Sequence, residues 1–218
     1  MSAAPSQHPR IWLASKSPRR QALLAQIGVA FDVLRLREAS GGRPPDVLEV
    51  AHDGEPALHY VERIARTKAN AGWHSMTARR LEPRPVLGAD TEVILDGEVF
   101  GKPADEREAK AMLAHLAGRT HDVVTAVAVR WQDELHFAMS ASKVTLAPLS
   151  KVAVAAYVAT GEFRDKAGGY AIQGLAAAFV ESIAGSYSGV VGLPLFETAQ
   201  LLESVGIAPW RAPAREGA

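Results

Sequence analysis

Hydroxyl and basic side chains cluster in one short stretch near the start of the chain, residues 14–20 (ASKSPRR). An apolar, strand-like run precedes this stretch, and residues 21–27 place their apolar side chains on one helical face. Ser17 is therefore predicted to cap a helix whose first residue is Pro18. Because helix N-termini and arginine side chains both suit phosphate oxygens, the stretch predicts a polyphosphate site. The alternative is a capped helix whose arginines face water, and these residues alone do not separate the two.

Two carboxylates fall within the apolar run of residues 86–95, where strand alternation puts Asp90 and Glu92 on the same face. A carboxylate in a core strand is costly unless it is paired, binds a metal or is functional. Asp90 is therefore predicted to be a general base or a metal ligand that faces the phosphate site. The alternative is a structural ion pair with a lysine, and Lys102 follows the return strand of the same hairpin.

A lysine continues the apolar stripe of the helix predicted over residues 57–71, because Lys68 shares its face with Val61 and Ile64. Its aliphatic stem could lie along the core while its ammonium reaches water, or the ammonium could point into a cleft. His121 stands alone before a strand. We expect it to be a hydrogen-bonded structural residue and not a catalyst or a metal ligand.

The elements that must position these side chains alternate between strand and helix early in the chain, and strands dominate later. The predicted strands cover residues 11–14, 31–34, 86–95, 98–100, 123–129 and 135–146, a short piece after Tyr170, 179–183 and 190–191. The predicted helices cover residues 18–27, 57–71, 105–117, 151–158 and 194–205. Residues 35–55, rich in glycine, proline and charge, predict a long loop. This pattern is typical of an α/β fold with a mixed central sheet.

The composition excludes several classes of protein. The chain has 218 residues with 24 basic and 24 acidic side chains, so nothing suggests a general binder of nucleic acid or of membrane surfaces. It has no cysteine, which excludes disulfides, thiolate catalysis and cysteine-ligated zinc. No apolar run reaches the length of a membrane span, and residues 1–9 lack the apolar stretch of a secretory signal. We expect a cytoplasmic protein with one domain over residues 10–207, between flexible ends at 1–9 and 208–218.

Seven segments stand in order along most of the chain: residues 13–20, 65–69, 88–91, 101–103, 165–168, 172–174 and 191–194. Together they resemble the Maf family of nucleoside triphosphate pyrophosphatases, also described as septum-formation inhibitors. The resemblance implies hydrolysis of a nucleoside triphosphate to the monophosphate and pyrophosphate with a divalent cation, Mg²⁺ or Mn²⁺. It also implies a mixed sheet flanked by helices, with the site in a cleft between two lobes, and a homodimer.

The resemblance assigns roles to individual residues. The expected catalytic residues are Asp90, Lys68 and Lys102. The expected phosphate-binding residues are Ser15, Ser17, Arg19 and Arg20. Three positions separate the branches of the family, and here Arg19, Thr91 and Gln173 resemble the branch that acts on dTTP and UTP, not the branch that acts on 7-methyl-GTP. Asp165 and Lys166 also resemble the pyrimidine branch.

This chain departs from the family pattern after the second strand, where members usually carry a pair of acidic residues. Glu38 stands two residues short of the usual spacing, and the loop that follows is longer than usual. The expected metal ligands are therefore Asp90 and Glu38. A second class of function is a nucleotide-binding regulator of cell division with vestigial hydrolysis. Asp90 and the two lysines favour the enzyme, because binding alone does not require a carboxylate beside a polyphosphate.

Overall fold

A mixed seven-stranded sheet forms the centre of the computed structural model, which describes residues 10–38 and 44–210. Its strands are β1 (Arg10–Leu13), β2 (Ala30–Val33), β3 (Val86–Leu95), β4 (Glu98–Phe100), β5 (Thr120–Trp131), β6 (Glu134–Leu146) and β7 (Val180–Ala184). The helices are α1 (Pro18–Gln26), α2 (Ala57–Ala78), α3 (Glu106–Leu116), α4 (Lys151–Ala159), α5 (Tyr187–Val191) and α6 (Leu195–Ser204). Two 3₁₀ turns lie at Ala167–Gly169 and Leu175–Phe179. The α/β fold class predicted from the sequence is confirmed.

Local sequence signals set the ends of these elements. The Ser17 hydroxyl accepts a hydrogen bond from the Arg20 amide and caps α1, with Pro18 in the first turn as predicted. Asp96 and Gly97 join β3 to β4 with positive φ angles of 54° and 84°. Two-residue hairpin turns prefer such angles, so this turn is specified by the chain itself.

The strand order β2-β1-β3-β5-β6-β7, with β4 also paired to β3, leaves part of one strand edge uncovered. β1 runs parallel to β3 and pairs with it at Val86 and Leu87. β4 pairs antiparallel with residues 93–95 of β3. Between these two neighbours, residues 88–92 have no strand partner on that side in the part of the chain that the structure describes. The gap between β1 and β4 therefore opens a cleft along the stretch that contains Asp90.

Helix α2 covers the face of the sheet to which Asp90 belongs, and it packs on Ile94 and on residues of β5. It approaches β3 most closely at Gly88. A Cβ added there would stand 2.5 Å from the Ala69 amide nitrogen and 2.7 Å from the Ala65 carbonyl oxygen. Only glycine fits this approach, which brings Lys68 of α2 against Asp90.

Two apolar cores form two lobes on the other face of the sheet. One core joins α1 and α6 to β1 and to the start of β3, around Leu24, Leu87 and Leu202. The other core joins α3 and α4 to the end of β3, around Leu95 and Leu113. Because β3 runs through both cores, the cleft at its uncovered edge lies between the lobes, as the fold class predicted.

Two short strands predicted in the second half of the chain are wrong. The backbone after Tyr170 forms turns, and Val190 lies in α5. Helix α5 forms where the Ser186 hydroxyl accepts a hydrogen bond from the Gly189 amide and caps it. A run of two valines is too short for alternation to separate a strand from a helix. Helix α2 also runs further than predicted, to Ala78.

Parts of the predicted organisation lie outside the described residues: the N-terminus at 1–9, positions 39–43 of the long loop, and the tail at 211–218. The described parts of the loop, residues 35–38 and 44–55, contain no helix or strand, as predicted. At the end of the described chain, the Trp210 amide donates to the Ile27 carbonyl at 2.8 Å. The domain limits at residues 10 and 207 stay a prediction.

Candidate active site

Every site residue predicted from the sequence lines one cavity of about 610 Å³ in the cleft between the lobes. These residues are Ser15, Ser17, Arg19, Arg20, Glu38, Lys68, Asp90, Thr91, Lys102, Asp165, Lys166 and Gln173. Cavities of this volume are typical of sites for small organic ligands. Tertiary structure thus gathers side chains from the loop before α1, from α2, from β3 and from the loop around the first 3₁₀ turn.

The loop before α1 forms one end of the cavity, and its geometry is set by its own hydroxyls. Ser15 Oγ accepts a hydrogen bond from the Ser17 amide at 3.2 Å. Burial lowers the pKa of Arg19, and the charge of Asp165 opposes that shift. Burial and the nearby charge of Arg19 likewise lower the pKa of Lys166. Two partly desolvated cations face one carboxylate here, so this end of the cavity favours an anion.

Arg20 is held by three hydrogen bonds from its guanidinium. It donates to the Gly192 carbonyl at 2.8 Å, to Thr91 Oγ1 at 3.0 Å and to Ser15 Oγ at 3.3 Å. A guanidinium has five N–H donors, so two remain for a ligand. Burial lowers the pKa of Arg20 most strongly, with the charge of Asp90 opposing. An anion beside this cation would offset the cost of its burial.

Thr91 lies in a chain of hydroxyl hydrogen bonds on the other side of β3. Thr125 Oγ1 donates to the Gly189 carbonyl at 2.7 Å, and the hydroxyls of Thr91 and Thr125 are 2.9 Å apart. Thr91 must therefore donate to Thr125 while it accepts from Arg20. This leaves its hydroxyl one acceptor lone pair and no donor for a ligand. The contact between Thr91 and Arg20 was not foreseen from the sequence.

Lys68 and Asp90 form a buried ion pair in the centre of the cavity, with Lys68 Nζ 2.8 Å from Asp90 Oδ1. The side chains are 11% and 7% exposed, so the ammonium of Lys68 points into the cleft and not to bulk water. Among the described residues, Asp90 Oδ2 has no hydrogen-bond partner. The lysine that pairs with Asp90 is therefore Lys68 and not Lys102, and one carboxylate oxygen is left for other chemistry.

Glu49 is a site residue that sequence reasoning missed. Its carboxylate lies 2.9 Å from Lys68 Nζ and 3.8 Å from Lys102 Nζ. Burial alone would raise the pKa of Glu49, but its ion pair with Lys68 and the charge of Lys102 outweigh burial and lower it. Glu49 stands in the long loop after β2, where the family pattern expects acidic residues. Because this loop is longer than usual, spacing from the strand pointed to Glu38 instead.

Glu92 is another carboxylate in the cavity. The sequence predicted that it shares a strand face with Asp90, but it assigned no role to Glu92. It is 9% exposed, and its Oε2 has no partner in the described part of the chain. Burial and the charge of Asp90 raise the pKa of Glu92 to about 8. The charges of Lys102 and Lys68 oppose this shift, but they lower the pKa less than burial raises it.

Glu38 lies at the rim of the same cavity. Its side chain is 75% exposed and its Oε1 is 2.6 Å from Lys16 Nζ. The hydrogen bond and charge of Lys16 lower the pKa of Glu38. Its predicted role as a metal ligand stays a prediction, since the carboxylate is held by Lys16.

The turn that carries Gln173 is anchored by a residue that sequence reasoning also missed. Glu162 accepts hydrogen bonds from the amides of Leu175 at 2.8 Å and Ala176 at 3.1 Å. It also accepts one from the Tyr157 hydroxyl at 3.0 Å. Gln173 itself is exposed and lines the cavity. The turn therefore presents an amide side chain to a ligand from a backbone that is fixed from behind.

Comparison with known proteins shows the family of this chain. The family model described as Maf-like protein matches residues 10–205 of the chain. The chain belongs to the Maf-like protein family. A relative named dTTP/UTP pyrophosphatase from Aromatoleum aromaticum is 53% identical over 90% of this chain and 96% of that protein. A relative of the same name from Nitrosospira multiformis is 54% identical over 91% of this chain and 95% of that protein.

Among solved structures, the Staphylococcus aureus Ham1 protein matches this Maf-like chain with a TM-score of 0.38 and 14% sequence identity. The match covers 63% of this chain and 72% of that one. In the described part of this Maf-like chain, none of the helices combines the length and the apolar character that crossing a membrane would require.

His121 is buried next to a residue that lines the cavity of this Maf-like protein. It is 2% exposed, and its Nε2 lies 2.7 Å from the hydroxyl of Tyr170, a cavity-lining residue. Burial lowers the pKa of His121 to about 4. The prediction of a hydrogen-bonded residue is confirmed, and its neutral ring packs in the core.

Proposed function

We propose that this protein hydrolyses dTTP and UTP to the nucleoside monophosphate and pyrophosphate. The observation that carries the proposal is the identity of 53% and 54%, over 90% and 91% of the chain, to proteins named dTTP/UTP pyrophosphatase. The cavity supports it, because cations surround Asp90, a buried carboxylate with one unpartnered oxygen. Such an arrangement suits attack of water on a polyphosphate.

In this proposal the phosphates lie between the start of α1 and the two lysines. Ser15, Ser17 and Arg19 line that end of the cavity, and Arg20 keeps two N–H groups for phosphate oxygens. These groups are fixed before substrate arrives, so little ordering cost remains. The free N–H groups of the helix N-terminus add to the same attraction.

Lys68 and Lys102 hold the far end of the triphosphate. Both ammonium groups face the Glu49 carboxylate, at 2.9 Å and 3.8 Å. An incoming phosphate competes with that carboxylate for the two lysines, and it carries more negative charge. The lysines then neutralise the charge that develops on the departing pyrophosphate.

Hydrolysis takes place at the α-phosphorus. The oxygen of a water molecule forms a bond to phosphorus, the bond to the bridging oxygen breaks, and pyrophosphate leaves with the electron pair. Asp90 Oδ2, which has no partner in the described residues, accepts the proton of that water. The alternative role of Asp90 is to hold the divalent cation, which would then orient the water. Lys68 orients the Asp90 carboxylate through Oδ1.

A divalent cation, Mg²⁺ or Mn²⁺, belongs to the same proposal. The donor chemistry of the cavity fits it, because buried carboxylate oxygens without partners are the ligands that such cations prefer. Asp90 would hold the cation, and Glu38, the second ligand implied by the family resemblance, lies at the rim against Lys16. When bound, the cation neutralises charge on the phosphate oxygens.

The preference for pyrimidines is assigned to Gln173, Arg19 and Thr91, with Asp165 and Lys166 beside them. The Gln173 amide offers a donor and an acceptor, as the O4 and N3–H edge of uracil or thymine requires. Thr91 contributes to this preference indirectly. Its hydroxyl orients Arg20 through a hydrogen bond and keeps one acceptor lone pair for a ligand. We also propose that the protein is a homodimer. We propose a cytoplasmic location as well, because these nucleotides are used there.

The test is release of pyrophosphate from dTTP, UTP, CTP, GTP and 7-methyl-GTP in ¹⁸O-labelled water with Mg²⁺ or Mn²⁺. We expect the highest kcat/KM for dTTP and UTP, with the label in the monophosphate. Asp90→Asn should lower kcat by about 10²–10⁴-fold. Preference for a guanine nucleotide would overturn the pyrimidine assignment. Tight binding of nucleotides with negligible pyrophosphate release would instead favour the regulator of cell division.

A further inference from the structure

Two neighbouring carboxylates of β3 are buried without the partners that buried charges normally have. Asp90 is 5% exposed and Glu92 is 9% exposed. Within the described residues, Asp90 Oδ2 and Glu92 Oε2 accept no hydrogen bond. Buried polar atoms are almost always paired, and an unpaired carboxylate is among the most costly groups to bury. Two such oxygens in one cavity require a common explanation.

The positions of the two residues allow one cation to reach both. They stand at alternate positions of one strand, so their side chains share a face and their Cα atoms are about 7 Å apart. Both line the cavity where residues 88–92 leave the strand edge uncovered. The space beside them is therefore open to an ion and to the phosphates of a nucleotide.

The lysines of the cavity are engaged elsewhere. Lys68 Nζ contacts Asp90 Oδ1 and Glu49, and the carboxylate nearest to Lys102 Nζ is again Glu49, at 3.8 Å. The salt bridges of the described residues include none to Glu92. Arg20 is the other cation near these carboxylates, but its guanidinium donates its hydrogen bonds to Gly192, Thr91 and Ser15. Among the described residues, Glu92 is therefore the carboxylate of the three that has no salt bridge.

We infer that Glu92 is a ligand of the divalent cation and that it binds the cation together with Asp90 before the nucleotide arrives. The inference rests on the proposed function only in taking the cation as part of the reaction. Mg²⁺ and Mn²⁺ prefer oxygen ligands, and Mg²⁺ is usually held by one or two carboxylates, with water and phosphate at its other positions. In the described residues no group of three or more His, Asp or Glu is placed to hold a metal, so water and phosphate would complete the ligands around this pair.

The experiment is a titration of the nucleotide-free protein with Mn²⁺, in which the electron paramagnetic resonance signal of free Mn²⁺ reports binding. We expect Glu92→Gln to raise the Kd for Mn²⁺ at least about tenfold, since even residues behind a metal ligand often contribute that much. Glu181→Gln removes an exposed glutamate from β7 and should leave the Kd unchanged. Glu38→Gln is measured beside it, because its exposed carboxylate at the rim is the other ligand that the family resemblance implies.

A melting curve without metal checks that Glu92→Gln is folded. We expect its midpoint to equal or exceed that of the wild type, because the amide removes repulsion from Asp90. Glu92→Asp keeps a carboxylate on a shorter side chain, so its Kd should fall between those of the wild type and Glu92→Gln. This second variant carries the test if Glu92→Gln does not fold.

Three outcomes overturn the inference: no Mn²⁺ binding by the nucleotide-free wild type, an unchanged Kd in the Glu92 variants, or a loss of affinity in Glu38→Gln alone. None of these outcomes bears on the hydrolysis of dTTP, which is measured separately. Conversely, a wild type that binds Mn²⁺ through Glu92 but releases no pyrophosphate would refute the proposed function and not the cation site.

Discussion

Removing the buried lysine of the site should damage both the stability and the activity of this protein. Lys68→Met keeps a long apolar stem but deletes the ammonium that lies 2.8 Å from Asp90 and 2.9 Å from Glu49. The side chain of Asp90 is 7% exposed, so water cannot replace the lost partner. Asp90 is then left as an uncompensated buried charge or must take up a proton.

The distances set the size of the effect. At an effective dielectric constant of about 20, a pair of unit charges 2.8 Å apart attracts by ~6 kcal/mol. The cost of desolvating the lysine offsets part of this, and breaking one side of a buried pair typically costs ~3–5 kcal/mol. We expect a loss of that size in the free energy of unfolding. We also expect kcat for dTTP to fall by ~10²–10³-fold, as when one group that stabilises a transition state is lost.

The assay combines urea unfolding with steady-state kinetics for Lys68→Met, Asp90→Asn and the double variant. Asp90→Asn removes the stranded charge, so the double variant should be more stable than Lys68→Met alone. Lys102→Met is the matched control, because its side chain is 58% exposed and its nearest carboxylate is 3.8 Å away. It should lose activity but no more than about 1 kcal/mol of stability.

The reasoning fails if Lys68→Met unfolds within about 1 kcal/mol of the wild type, because the pair would then behave as an exposed one. It fails equally if the double variant loses as much stability, relative to the wild type, as the two single variants lose together. Normal turnover in a folded Lys68→Met would remove the lysine from the mechanism while leaving its structural role.

Three further predictions concern residues that support the site. Gly88→Ala should lose stability and lower kcat, because its Cβ would press on the backbone of α2 at 2.5 Å and 2.7 Å; thermal melting and dTTP turnover measure this. Glu162→Gln should reduce the preference for dTTP over GTP more than it lowers kcat, because its carboxylate fixes the turn of Gln173, and kcat/KM ratios measure this. His121→Gln should lose less stability than the wild type when the pH is lowered from about 6.5 to about 4. In that window the unfolded wild-type histidine takes up a proton while the folded one, with its pKa lowered to about 4, does not, and melting temperatures against pH report the difference.

Each of these has a contrary result. A Gly88→Ala variant of normal stability would mean that α2 can withdraw from β3 without cost. Unchanged nucleotide ratios in a folded Glu162→Gln would separate the turn from selection of the base. Identical pH profiles for the wild type and His121→Gln would show that His121 is not held neutral in the fold.

Features that depend on near neighbours in the chain were predictable from the sequence. The Ser17 cap with Pro18 in the first turn of α1, and the tight turn at Asp96 and Gly97, follow from local backbone chemistry. The shared face of Asp90 and Glu92 follows from strand alternation, which needs no tertiary information. These signals, with the alternation of strands and helices, indicated the fold class. The resemblance to the Maf family supplied residues of the cavity that no local signal singles out, such as Gln173, Asp165 and Lys166.

Tertiary structure alone decided which charges meet. Glu49 comes from an aperiodic loop, so only the folded chain could place it between Lys68 and Lys102. The hydrogen bond from Arg20 to Thr91 joins α1 to β3, which are neighbours only in space. Ion pairs depend on distances of a few ångströms between distant parts of the chain, whereas periodicity reports only which face a residue occupies. For that reason the sequence could name most members of the site, while the fold set their partners and left Glu92 Oε2 without one among the described residues.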